Sequence, residues 1–373
     1  MEYKKTVFNF YYQWWKNIDK FIFFIIFLLF LLGLFFSLVS TSIIASDKLN
    51  TNTYYFFIKH LFFIFLGISL IISFSFIDQK KLLNISKILF VLSFVTLALI
   101  PFIGIEVKGS TRWLDLPFLP RFQPIELVKP FFIIMISLIL SLQDRNNLYI
   151  KYLLSLGIVV PIILFLISQP DIGQTLLIIL TWLSLVFVSG INLIFFFSFF
   201  IIIFSILTYL IVFLPKFEYI RIRLSSFMDP NNGNNYQSEK ASEAISNGGF
   251  FGMGIGEGKL NSRIPEAHTD YIISVIAEEF GIIIVIIIMI IFLILSYKVI
   301  QKVYYEKDNI TKLILVGAVT LILAQTFIHI GVNLRILPTT GMTLPFLSYG
   351  GSSIISTSIL AGVILNFTKR KLN

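Results

Sequence analysis

The chain has 373 residues, 57% of them hydrophobic and 13% charged, whereas soluble globular proteins average about 25% charged residues. That composition excludes a soluble enzyme. The absence of Cys rules out disulfides, thiolate metal sites and a cysteine nucleophile, and three His (His60, His268, His329) are too few for a multi-histidine metal centre.

Apolar runs fall at roughly 21–45, 55–76, 87–103, 125–141, 152–168, 172–189, 191–214, 271–296, 311–332 and 343–366. About 20 apolar residues span a bilayer as a helix, which satisfies its own backbone hydrogen bonds there. The expectation is an all-α polytopic membrane protein of ten transmembrane helices, one integral membrane domain over 1–373 with tails at 1–20 and 367–373. The first 20 residues carry four Lys and no cleavable signal pattern. With the N-terminus inside, sixteen of the 29 Lys/Arg lie in short inner segments; six of the outer thirteen share one long loop, which the positive-inside rule discounts. Both termini are therefore expected in the cytoplasm. The net charge of +9 is then a topology signal and no argument for nucleic acid.

Two outer segments, 104–124 and 215–270, are polar, carry Gly and Pro, and hold most of the outer cations. Long loops in a compact domain are usually functional. The second ends in Arg263-Ile264-Pro265-Glu266-Ala267-His268-Thr269-Asp270 at the start of the eighth run. Thr269 or Asp270 is placed to cap that helix, the ordinary fate of an isolated Asp at a helix start. On one helix, Ser274, Ala277 and Glu278 share the Asp270 face, with Glu278 about 12 Å deeper, while Glu279 points away. Ionisable groups at such depth are costly and read as functional.

The fourth run opens with Phe122-Gln123-Pro124-Ile125-Glu126-Leu127-Val128-Lys129-Pro130. Pro124 suits the first helical position, and Glu126 and Lys129 share a face one turn in. They form either a self-neutralising pair or a cationic pocket wall. Gln169-Pro170-Asp171-Ile172-Gly173-Gln174-Thr175 reads as scaffold, with Asp171 a first-turn acid. The series Gly248, Gly249, Gly252, Gly254, Gly256 and Gly258 lacks the spacing of a dinucleotide loop; close backbone packing or a mobile flap suits it better. Finally, 333–353 holds two Pro and three Gly before or within the tenth run. Irregular backbone is tolerated at membrane depth only where protein or a cavity encloses it.

Taken together, KGSTRWL with FQPIELVKP, then QPDIGQTLL, YQSEKASEAISNGGFFGMGIGEGK, IPEAHTDYIISVIAEEFG and NLRILPTTGMTLPFLSYGGSS, in this order, resemble the SEDS family of wall polymerases, which includes FtsW, RodA and SpoVE. The WWKNIDK, EAHTDYI, AEEFG and LPTTGMTLPFLSYGGSS wording is closer to the division branch, FtsW, than to the elongation branch, RodA. The resemblance implies a peptidoglycan glycosyltransferase that polymerises lipid II at the septum, on the outer face of the cytoplasmic membrane. The implied partners are a class B penicillin-binding protein transpeptidase and other division proteins. The family's essential loop carboxylate falls on Asp270, and its helix-four Glu and Lys fall on Glu126 and Lys129. The chain departs at Lys59-His60, where members often carry Arg, and at Ile125, where a small residue is usual.

The chemistry expected is deprotonation of an acceptor sugar hydroxyl by Asp270, with inversion at the donor anomeric carbon. Lys129, Arg112, and either Arg121 or Mg²⁺ would stabilise the departing diphosphate, with Glu126 orienting Lys129. Gln123, His268, Glu278, Ser348 and Tyr349 complete the expected substrate-binding set, and a groove between helices would hold the polyprenyl tails. The competing readings are a flippase or secondary transporter of a lipid-linked precursor, an elongation-type polymerase, and a non-catalytic scaffold.

Overall fold

A computed structural model describes residues 12–48, 54–107, 110–117, 120–142, 149–229, 236–260 and 264–370. Lys108, Arg263 and the outermost parts of both expected tails lie outside the described residues.

The helices run in the order α1 (Lys20–Lys48), α2 (Tyr55–Phe76), α3 (Gln79–Ile103), α4 (Pro124–Leu140), α5 (Ile150–Ser168), α6 (Ile172–Val188) and α7 (Leu193–Phe213). Next come α8 (Glu218–Met228), α9 (Tyr236–Gly248), α10 (Ile272–Phe280), α11 (Ile282–Tyr305), α12 (Asn309–Asn333) and α13 (Gly351–Phe367). Seven of them, α1, α2, α3, α5, α7, α11 and α12, are long and apolar enough to cross a membrane, and α6 and α13 are shorter apolar helices. The protein is a multi-pass helical bundle.

Local sequence sets several helix starts. Asp19 accepts from the Phe21 and Ile22 amides at 3.1 and 3.2 Å, Asp78 from Lys80, Asn192 from Ile194 and Asp308 from Thr311. Each carboxylate or amide oxygen satisfies a first-turn N–H that the helix itself leaves without a partner. Asp19 also pairs with Lys302 at 3.0 Å, tying the start of α1 to the end of α11. Pro124 stands at the start of α4, where its missing N–H costs nothing.

At the centre, α13 packs on α2, α12 on α6, and α4 on α3. Nearly every α13 side chain is buried, small Ser, Thr, Ala and Gly alternating with Ile and Leu. Such small residues let helices approach closely where lipid offers no hydrophobic drive for association. On α7 the reverse holds: among its described side chains none is buried, and the exposed ones are mostly Phe, Ile and Leu. That surface suits hydrocarbon.

Two features depart from the sequence expectation, the loop after α3 and the eighth run, while the tenth run follows it. The loop after α3 folds into an antiparallel hairpin, β1 (Ile105–Val107) with β2 (Ser110–Trp113). The tenth run is helical only from Gly351, its first part being the expected irregular segment. The eighth run is two helices, broken at Gly281 with φ 84°.

The break has a packing cause. The glycine-rich loop after α9 lies across the end of α10, with the Met253 amide donating to the Glu278 carbonyl at 2.8 Å and the Ile282 amide to the Gly249 carbonyl at 3.0 Å. A methyl group on Gly281 would collide with the Phe250 carbonyl, and one on Gly252 with the Glu279 carbonyl. Both positions also have the left-handed backbone that disfavours other residues. Gly281→Ala is therefore expected to destabilise the protein by about 2–4 kcal/mol. Gly157→Ala, on α5 with nothing near its Cβ position, is expected to be neutral or slightly stabilising. Thermal unfolding in detergent checks both; equal effects would refute the packing argument.

Candidate active site

The site lies at the loop-bearing end of the bundle, where residues 266–271 turn into α10. Asp270 does not cap that helix. Its N-cap is Tyr271, without a side-chain cap bond, and the Thr269 hydroxyl turns back to the Glu266 carbonyl and carboxylate at 3.2 and 3.0 Å. This corrects the capping role expected for Thr269 or Asp270.

The backbone of this turn is gripped from two directions. The Ser348 hydroxyl donates to the Thr269 carbonyl at 2.7 Å, the Tyr349 amide to the His268 carbonyl at 3.0 Å, and the Asn333 amide nitrogen to the Asp270 carbonyl at 3.1 Å. Asn333 is fully buried. Its nitrogen also donates to the His329 carbonyl, while its oxygen accepts from the Ser274 hydroxyl and amide. All four hydrogen-bonding positions of that amide are used. Asn333 thus fixes the end of α12, the start of α10 and Asp270 in one arrangement. The Asp270 carboxylate remains partly exposed beside Gly341, at 3.5 Å from the position a Cβ there would take.

His268 stacks with Phe56 and Tyr349 at ring separations of 5.0 and 5.5 Å, and Tyr349 in turn neighbours His60 at 5.8 Å. Ser348 also accepts from the Leu344 amide at 2.8 Å. The 344–349 segment, irregular at Pro345 and at Phe346 with its φ of 65°, is thereby fastened to the turn carrying Asp270.

Glu126 and Lys129 sit deeper. Their side chains pair at 2.8 Å and are almost wholly buried, at 4% and 1% exposure. Gln174 on α6 donates to the other Glu126 oxygen at 2.8 Å, and Lys129 donates to Gln325 on α12 at 3.1 Å. Gln325 reaches the Thr343 carbonyl at 2.9 Å, and the Thr343 hydroxyl shares a hydrogen with Ser353 at 2.7 Å. A buried polar chain thus runs from α6 through α4 and α12 to α13.

The expected cations of the first loop are engaged in structure. Arg112 on β2 donates to the carbonyls of Gln169 and Pro170 and lies 3.6 Å from Asp171. Asp171 also accepts from Gln123 at 2.9 Å and caps α6 through the Gln174 amide at 3.3 Å. Arg121 pairs at 2.8 Å with Asp115 on an exposed surface. Glu278 and Glu279 both serve the glycine-rich loop: Glu278 accepts from the Leu260 amide at 3.0 Å, and Glu279 from the Gly256 amide. Glu279 does not point away, because α10 ends one residue later and the loop wraps its last turn. Among the described residues no group of three or more His, Asp or Glu gathers as a ready-made metal site.

Three residues of this end were not among the expected site residues: Asn333 and Arg335, which belong to the NLRILP block, and Arg223. The two arginines line a cleft with Phe227, Ser238 and Thr339.

The model of the FtsW, RodA and SpoVE cell cycle protein family matches residues 19–373. The chain belongs to this family. It is 28% identical to a probable peptidoglycan glycosyltransferase FtsW of Caulobacter vibrioides, covering 96% of this chain and 91% of the relative. It is 35% identical to the corresponding protein of Buchnera aphidicola subsp. Acyrthosiphon pisum, covering 88% and 84%. The fold matches a chain of a peptidoglycan synthase complex that coordinates polymerization and crosslinking, with TM-score 0.77, 24% identity and coverage of 94% and 97%. It also matches Thermus thermophilus RodA, with TM-score 0.67, 24% identity and coverage of 94% and 96%.

Removing one member of a buried ion pair strands the other in a medium that cannot solvate it. Lys129→Met or Glu126→Gln alone is expected to cost about 3–5 kcal/mol. The double variant is expected to recover part of that loss, giving a measurable coupling in a double-mutant cycle of unfolding free energies. Additive costs would show that the two charges do not depend on each other.

Proposed function

We propose that this protein is a peptidoglycan glycosyltransferase that polymerises lipid II into glycan strands, with Asp270 as the general base. The observation that carries this reading is the placement of Asp270: a partly exposed carboxylate whose backbone is fixed by Asn333 and flanked by the Ser348 and Tyr349 bonds. A base must be held at the reacting atom while keeping access to it.

In the transfer, the acceptor sugar oxygen forms a bond to the donor anomeric carbon as the carbon–oxygen bond to the diphosphate breaks. The diphosphate leaves with that electron pair on its lipid, the acceptor proton passes to Asp270, and attack from the opposite face inverts the anomeric centre. A diphosphate leaves as a stable anion, so the site needs one base and a nearby cation. Hydrolysis of an ordinary glycosidic bond instead needs a carboxyl pair. The Glu126–Lys129 pair acts at a distance by holding α4 against α6 and α12.

Ten crossings would put both ends of the chain on the same side, and the cation-rich short loops favour the cytoplasm for them. The loop-bearing end then faces outward, where lipid-linked wall precursor is consumed. The names of the relatives and the match to a synthase complex support a division polymerase working with a class B penicillin-binding protein at the septum. The exposed apolar side chains of α7 give the polyprenyl chains an apolar surface.

With its transpeptidase partner and labelled lipid II, the purified wild type is expected to make glycan strands. Asp270→Asn is expected to make at least about 100-fold less, the usual contribution of a positioned base. Equal polymer from the variant would remove Asp270 from the mechanism. Lipid translocation in liposomes without polymer would establish a transporter instead, and normal division with Asp270→Asn would establish a scaffold.

A further inference from the structure

The diphosphate that leaves in such a transfer carries negative charge, and the cations expected to meet it are engaged elsewhere. Lys129 is buried against Glu126 and Gln325, Arg112 is bonded to two carbonyls beside Asp171, and Arg121 is paired on an exposed surface. Among the described residues at this end, Arg223 and Arg335 line a common cleft.

Arg223 projects from α8 and is half-buried. Among the described residues it makes no hydrogen bond and no ion pair. Its surroundings are unfavourable for a cation on its own: burial and the neighbouring Arg112 charge both hold it below the usual guanidinium range. The nearby Asp171 is already shared among Arg112, Gln123 and the α6 N-terminus. A guanidinium brings five N–H donors in a planar fork suited to phosphate oxygens. One left half-desolvated without an acceptor is a vacancy for an anion.

Arg335 lines the same cleft. It stands just after α12 with φ 56°, a left-handed conformation rare for a residue with a side chain. Its one ion pair is a long one, 3.9 Å to Glu239 on α9. The cleft is small, about 20 Å³ in volume, and is lined also by Ser238 and Thr339, with Phe227 as an apolar wall. Thr339 lies two residues before Gly341, the glycine beside the Asp270 carboxylate. The loop that lines the cleft therefore also passes beside the proposed base. Arg223 also lies near Tyr271, the residue after Asp270.

We infer that this cleft is a binding subsite for the diphosphate of a lipid-linked sugar, held by Arg223 and Arg335. Ser238 and Thr339 supply hydroxyl donors at its edge, and an arriving phosphate displaces Glu239 from its long contact with Arg335. The assignment of a lipid-linked ligand rests on the polymerase reading above; the phosphate-binding chemistry stands on the two arginines.

The test is binding to the full-length protein in nanodiscs, with a polyprenyl diphosphate as probe and the matching polyprenyl alcohol and inorganic diphosphate as competitors. Each of Arg223→Gln and Arg335→Gln is expected to weaken polyprenyl diphosphate binding about tenfold, the effect of losing a charge-assisted hydrogen bond. Arg223→Lys and Arg335→Lys should retain part of the affinity, and unfolding midpoints identify any variant that fails to fold. Lys240→Gln, which removes an equal charge from an exposed pair on α9, should bind as wild type. Competition by inorganic diphosphate with the same arginine dependence supports a site that reads the phosphates alone, and its failure to compete supports one that needs the lipid as well. Folded Gln variants that bind like wild type, or equal competition by the alcohol, would overturn the inference. A wild type that polymerises while the Gln variants bind normally sinks the subsite and leaves the polymerase standing. Arginine-dependent binding with no polymer from wild type does the opposite.

Discussion

A bundle this apolar offers no water to a buried charge, so every ionisable group inside it must find its partner in the protein. Glu126 and Lys129 meet that constraint together. The pair itself is only part of the solution, since each charge retains further hydrogen-bonding positions that hydrocarbon would leave empty. Gln174 and Gln325 fill two of them, and those two residues lie on different helices. Satisfying one pair of charges therefore fixes the relative positions of α4, α6 and α12. The extension through Thr343 and Ser353 carries the same constraint to α13 and to the irregular segment before it.

That segment is where the scaffold becomes a site. Residues 344–349 are secured to the bundle below and to the 268–270 turn above, so the position of Asp270 depends on a chain of polar contacts beginning well inside the protein. Asn333 closes the arrangement from the other side. The same logic sorts the charged residues of the loop-bearing end. Arg112, Gln123, Asp171, Glu278 and Glu279 hold backbone segments in place, whereas Asp270, Arg223 and Arg335 line or adjoin a cleft. The first group makes the second possible, because irregular loops can present a reactive carboxylate only when their own peptide groups are satisfied.

Much of this was legible in the sequence, and the reasons differ by feature. Hydrophobic runs reveal spans because length and apolarity are local properties, and the Pro and Gly of 338–351 announced irregular backbone in the same way. The break at Gly281 escaped notice because an apolar run reads as one helix whether or not a loop from elsewhere wedges into it; the decisive contact is with Phe250. The hairpin after α3 is too short to show a strand pattern. Lys129 and Glu126 were visible as an i, i+3 pair, yet only the fold brings Gln325 to Lys129 across 196 positions. Asn333 is separated from Asp270 by 63 positions, and nothing about an Asn at a helix end says which carbonyl it will hold. Arg223 was one of several cations in a long loop. Its significance lies in lacking a partner among the described residues, a property that sequence does not carry.

The central claim is that the proton of the acceptor hydroxyl passes to Asp270, and the pH dependence of glycan elongation at saturating lipid II tests it most directly. A base must be ionised to act, so the wild-type rate should fall about tenfold per pH unit on the acid side of its profile. The residual rate of Asp270→Asn should be flat across that interval. The same acid limb in the variant would assign the proton to another group and contradict the account.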